Sequence, residues 1–175
     1  MLMTHDELVE LFDQGAIRCG RRDAIGGSSI DIHLGDTILI ESAVDHVVDY
    51  RARTPLQMTK LRIPDEGFVL RPGDFILAHS VESLTMPLDV SALLRTKSSM
   101  GRIGFEHMDA GWVDPGFFGA LTLEYTNQLR HQSIRLRAGD PVGQLVFFRG
   151  APVRDEDSYM VRGRYNGSTT VEQVR

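Results

Sequence analysis

The chain has 175 residues, 42% of them hydrophobic, with 19 Lys and Arg against 24 Asp and Glu and a formal net charge of −5. That length suits one well-packed domain and argues against a second independent core. The acidic balance argues against a general nucleic-acid coat, and no apolar run approaches the roughly 20 residues of a membrane span.

The first predicted element is a helix. Thr4-His5-Asp6-Glu7 has the form of a capping box, Leu8, Leu11 and Phe12 follow at helical spacing, and Gly15 can end the turn. This acidic, amphipathic start does not read as a signal peptide, and the single Cys19 excludes an internal disulfide framework, so a cytoplasmic protein is expected. Beyond Gly15 the apolar runs become short. Ser29 to Leu34 alternates polar and apolar, and Phe68-Val69-Leu70, Phe75 to Ala78, Leu121-Thr122-Leu123 and Val142 to Phe148 are further strand candidates. Leu70-Arg71-Pro72-Gly73-Asp74 and Leu136-Arg137-Ala138-Gly139-Asp140 share L-R-x-G-D, which predicts two similar β-turns. The segment 41–64 carries no readable chemistry and is expected to be an insertion or a surface hairpin. The pattern predicts a mainly β barrel or jelly roll with a short N-terminal helix over residues 1–160. A polar tail over 161–175 is expected to close over a site.

Several chemistries are absent from the sequence. The six histidines (His5, His33, His46, His79, His107, His131) are scattered, with no H-E-x-x-H. One cysteine cannot supply the P-C-x-x-C of zinc nucleobase deaminases, so no zinc site and no protein-bound metal is expected. Neither a G-x-S-x-G elbow nor a Walker loop is present. The informative stretch runs from Arg95 to Asn127. Lys97-Ser98-Ser99, with Arg102 close behind, puts cations beside hydroxyls and can hold phosphate oxygens. Asp114-Pro115-Gly116 is a turn carrying a carboxylate. Glu124 shares one strand face with Thr122 and Thr126, and that face either meets water or lines a polar pocket.

In combination these residues resemble a known family. Ser28-Ser29-Ile30-Asp31-Ile32-His33-Leu34-Gly35 is similar to S-S-I-D-L-R-L-G, and Lys97 to Gly104 is close to R-S-S-L-A-R-L-G. Ala110 to Phe117, Leu123-Glu124, and Val142-Gly143-Gln144-Leu145 follow in order. The chain thus resembles the zinc-independent dCTP deaminases of the trimeric dUTPase superfamily. Arg102 and Glu124 are the deaminase choices at two positions where plain dUTPases differ. Gly111-Trp112 looks more like members that continue to dUMP, and Lys97 stands where the family has arginine. At the tail, Arg164-Tyr165-Asn166-Gly167-Ser168 replaces the family's K-Y-Q-G-Q.

The resemblance implies a dUTPase-like fold, a homotrimer with sites between subunits, and dCTP or dUTP as ligands. It implies that Glu124 is the general base and acid, that Ser98 helps hold the water, and that Arg102 tunes the charge around Glu124. Asp114 would bond the deoxyribose 3′-hydroxyl, with Trp112 and Val113 beside the nucleotide. Lys97, Ser98, Ser99, Gln144, Arg164 and Tyr165 are the expected triphosphate and closing contacts. Mg2+ would travel with the triphosphate. Deamination of dCTP to dUTP and ammonia is the first expectation. A dUTPase-type pyrophosphatase, or a bifunctional enzyme forming dUMP, is the second. A non-catalytic nucleotide-binding homologue is the third.

Overall fold

The computed structural model describes residues 1–174; Arg175, the last residue of the expected tail, lies outside the described residues. Helix α1 spans His5–Asp13, and the Glu7 carboxylate accepts the Thr4 backbone N–H at 2.9 Å, as the capping pattern predicts. Leu8 and Leu11 are buried, and Gly15 turns the chain at φ +80°. That positive φ favours glycine because a Cβ would crowd the backbone.

The rest is mainly β: β1 (Ile17–Arg18), β2 (Ile30–Glu41), β3 (Met58–Arg62), β4 (Phe68–Leu70), β5 (Phe75–Thr85) and β6 (Val90–Thr96). A short helix α2 (Ser98–Gly101) precedes β7 (Phe105–His107), β8 (Trp112–Val113), β9 (Phe118–Asn127), β10 (Ile134–Leu136), β11 (Pro141–Arg149) and a final helical turn α3 (Tyr159–Arg162). The antiparallel sheet runs β7-β9-β5-β2-β11-β6-β8, with β1 added to β5 and β3 to β2, while β4 and β10 pair separately. Alternation fixes which face goes inward: Ile30, Ile32, Leu34, Ile76, Ala78, Leu123, Tyr125, Leu145 and Phe147 form one buried core. No helix among the described residues is long and apolar enough to cross a membrane.

The two L-R-x-G-D segments do form matching turns. Asp74 accepts the Arg71 N–H at 2.8 Å and Asp140 accepts the Arg137 N–H at 2.7 Å, with Gly73 at φ +79° and Gly139 at φ +84°. They end the paired strands β4 and β10, so the repeat marks two equivalent corners. The segment 41–64 contains the short strand β3 at the edge of β2, with exposed Val47 and Tyr50 before it.

One histidine–carboxylate pair is built into the interior. Glu82 is 1% exposed; its Oε2 accepts the His33 backbone N–H at 3.0 Å and its Oε1 accepts His33 Nδ1–H at 2.6 Å. Removing one partner strands a buried carboxylate. His33→Ala is therefore expected to lower unfolding free energy by about 3 kcal/mol, read as a reduced urea midpoint, with His33→Ala/Glu82→Gln recovering part of the loss. Equal midpoints for parent and single variant would mean the pair contributes nothing.

Candidate active site

A cavity of about 450 Å³ opens beside the outer face of β9, a volume in the range of small-ligand sites. Strand alternation turns Leu123 and Tyr125 into the core and sends Thr122 and Glu124 the other way, and both of the latter line the cavity. The open question about this polar face is thereby answered: Glu124 lines a pocket, with its side chain 27% exposed. Trp112, Val113, Asp114 and Tyr165 line the same cavity.

Asp114 is presented by a tight turn. The Phe117 N–H donates to the Asp114 carbonyl at 3.2 Å, and Gly116 takes φ +81°. The Pro-Gly pair suits those two central positions. Trp112, two residues earlier, donates its indole N–H to Asp114 Oδ1 at 3.0 Å.

The tail supplies the far wall through Tyr165, Ser168, Glu172, Gln173 and Val174. It is stapled to the start of β9. Phe118 N–H donates to Asn166 Oδ1 at 3.1 Å, Gly167 N–H to the Phe118 carbonyl at 2.8 Å, and Ala120 N–H to the Ser168 carbonyl at 2.7 Å. Gly119 sits at φ +128°, and a Cβ there would lie 2.9 Å from Ser168 N, so only glycine lets the tail lie this close.

His107 was not picked out by sequence reasoning, which grouped it with the scattered histidines. It is 3% exposed on β7, opposite Tyr125, and its Nε2 lies 3.2 Å from Glu124 Oε2. Neither atom makes an aligned hydrogen bond, so the two groups are close but not coupled in this geometry. The available signal was the alternation Phe105-Glu106-His107, which places the histidine on the buried side. Tyr125 packs between these groups, its ring stacked 4.2 Å from Phe105 and edge-on to His107 at 5.3 Å. Burial, with Glu124 and then Glu106 nearby, pushes the Tyr125 phenol far above its usual range. It therefore stays a neutral donor, to the Val142 carbonyl at 3.1 Å.

The other expected residues are elsewhere. Lys97, Ser98, Ser99, Arg102, Gln144 and Arg164 do not line the cavity. Ser98, Ser99 and Arg102 lie on or beside α2 and are exposed, while Lys97 pairs with the Asp31 carboxylate. Gln144 stands opposite Asp31 on β2 and Arg95 on β6. Within one chain, then, the side chain beside Glu124 is His107, while Arg102, just after α2, does not line the cavity. The expected site residues fall into two groups: Trp112, Val113, Asp114, Glu124 and Tyr165 line the cavity, and the cations, hydroxyls and Gln144 lie outside it. Among the described residues no three His, Cys, Asp or Glu side chains come together as a metal-binding group.

Comparison with known proteins gives a consistent result. A family model described as dCTP deaminase-like matches residues 2–150. A protein of Persephonella marina named "dCTP deaminase, dUMP-forming" is 32% identical over 179 residues, covering 99% of this chain and 97% of that one. A solved 2′-deoxycytidine 5′-triphosphate deaminase from Agrobacterium tumefaciens superposes with a TM-score of 0.69 at 23% identity, covering 89% of this chain and half of that one. A dUTPase from phage phi11 of S. aureus superposes with a TM-score of 0.52 at 13% identity, covering 79% and 92%. These two likenesses bear out the expected dUTPase-like fold.

Proposed function

This chain belongs to the dCTP deaminase-like family, and we propose that it deaminates dCTP and then cleaves the resulting dUTP to dUMP and pyrophosphate. The observation that carries this is the presence of Glu124 and Asp114, two carboxylates of separate elements, in one cavity. The sequence put release of dUTP first and formation of dUMP second. The name of the Persephonella relative favours the reverse order, as does Trp112.

In the first step Glu124 takes a proton from water as the water oxygen bonds to C4 of cytosine, and the proton passes to N3. Glu124 then takes the hydroxyl proton and gives it to the exocyclic amine. The C4–N bond breaks, ammonia leaves and the uracil carbonyl forms. His107 Nε2 lies 3.2 Å from Glu124 Oε2, and a small rotation of either side chain would let it hold that oxygen while the other works on the water. In the second step Asp114 orients a water toward the α-phosphorus. A P–O bond forms there as the bond to the bridging oxygen breaks, the water gives up a proton through Asp114 to solvent, and pyrophosphate leaves with the electron pair.

The triphosphate needs cations, and among the described residues no lysine or arginine lines the cavity of one chain. In the proposed homotrimer, Lys97, Ser98, Ser99, Arg102 and Gln144 of a second copy complete the site, with Arg164 and Tyr165 of the tail closing it. Magnesium bound to the nucleotide would neutralise phosphate charge. Its ligands would come mainly from phosphate oxygens, since no three-ligand protein group is present among the described residues.

The test is a product assay. Incubated with dCTP and magnesium, the protein is expected to release ammonia and pyrophosphate in equal amounts and to yield dUMP on ion-exchange chromatography. Ammonia with dUTP alone would limit the activity to the first step. Turnover of dUTP but not dCTP would overturn deamination.

A further inference from the structure

Trp112 makes a contact whose geometry gives it a task of its own. Trp112, in β8, and Asp114, just after it, flank the buried Val113, and both line the cavity. Backbone pairing with Leu93 fixes where the indole starts, and its N–H reaches Asp114 Oδ1 at 3.0 Å. Indole is a donor with no acceptor, so the contact occupies one carboxylate oxygen and leaves the other to accept from water or a sugar hydroxyl. The indole is also the chain's single tryptophan, and it is 57% exposed at the lip of the cavity.

We infer that Trp112 is a positioning residue: its N–H sets the direction of the Asp114 carboxylate and so selects cleavage at the α-phosphorus after deamination. This rests on the role proposed above for Asp114. An aspartate on a turn has two rotatable side-chain bonds, and a water held by a freely turning carboxylate is seldom in line with the leaving oxygen. Anchoring one oxygen removes that freedom without adding charge to the site.

Trp112→Phe keeps a ring and removes the donor. With dCTP as substrate, dUTP is expected to accumulate, and the ratio of dUMP to ammonia to fall about tenfold or more. The decisive measurement is a double-mutant cycle with Asp114→Ala, reading kcat for dUTP cleavage and the calorimetric Kd of an α,β-imido dUTP analogue. If Trp112 acts through Asp114, the Phe substitution costs its full factor in the parent and almost nothing in Asp114→Ala. The same factor in both backgrounds would overturn the inference. Should the parent form no dUMP, the two-step proposal fails by itself. The cycle is then read on the analogue's Kd and the KM for dCTP, where non-additivity supports the Trp112 role and additivity overturns it.

Discussion

Glu124→Gln is expected to reduce ammonia release from dCTP by about a thousandfold or more. Glutamine keeps the volume and a polar tip but cannot take a proton from water. Because the side chain sits at a cavity wall, partly open, the change should leave the fold intact. Its nearest titratable neighbour, His107, is 3.2 Å away on the side of Oε2. If His107 could replace the carboxylate as base, the loss would be far smaller. The cleavage of dUTP proposed above uses Asp114, on a turn away from strand β9, and should continue in the variant. Ammonia and pyrophosphate, measured side by side from dCTP and from dUTP, separate the two steps. Ammonia release within tenfold of the parent would remove Glu124 from the role of base.

The parts of this molecule that local physics decides were legible in the sequence. The capping pattern at Thr4, the glycine stop at Gly15 and the two L-R-x-G-D corners each depend on a few neighbouring residues, and each forms as expected. Strand Ile30–Glu41 extends well past the alternation read at Ser29 to Leu34, because its second half draws partners from β3 and β5 that no local pattern reveals. The same limit applied to Glu124. A polar strand face looks the same in sequence whether it meets water or a pocket; the tail, stapled through Asn166 and Ser168, makes the difference. His107 was obscured for a related reason. Its neighbour Glu124 is seventeen positions away, and only the pairing of β7 with β9 brings them together. Lys97 read as a phosphate ligand, yet within the chain its ammonium already meets Asp31.

Mixing two inactive variants is expected to restore activity. Glu124→Gln lacks the proposed base and Arg102→Ala lacks the cation just after α2, so each alone should be nearly silent. In one chain these residues occupy separate regions, the first in the cavity and the second beyond it. If a site draws Glu124 from one copy and Arg102 from the next, a mixed trimer contains intact sites. They occur wherever an Arg102→Ala chain supplies the glutamate and a Glu124→Gln chain supplies the arginine. At equal proportions and random assembly that is about a quarter of all sites, so about a quarter of parent activity should return after the two are unfolded and refolded together. Neither variant refolded by itself should show it. If each site were built from one chain, every site in the mixture would lack one of the two groups and no activity would return. In that case the segment that carries Arg102 would have to reach into the cavity of its own chain. The pairing of Lys97 with Asp31, at the base of α2, opposes such a movement. Recovery in the mixture therefore follows from the same geometry that separates the two groups of residues.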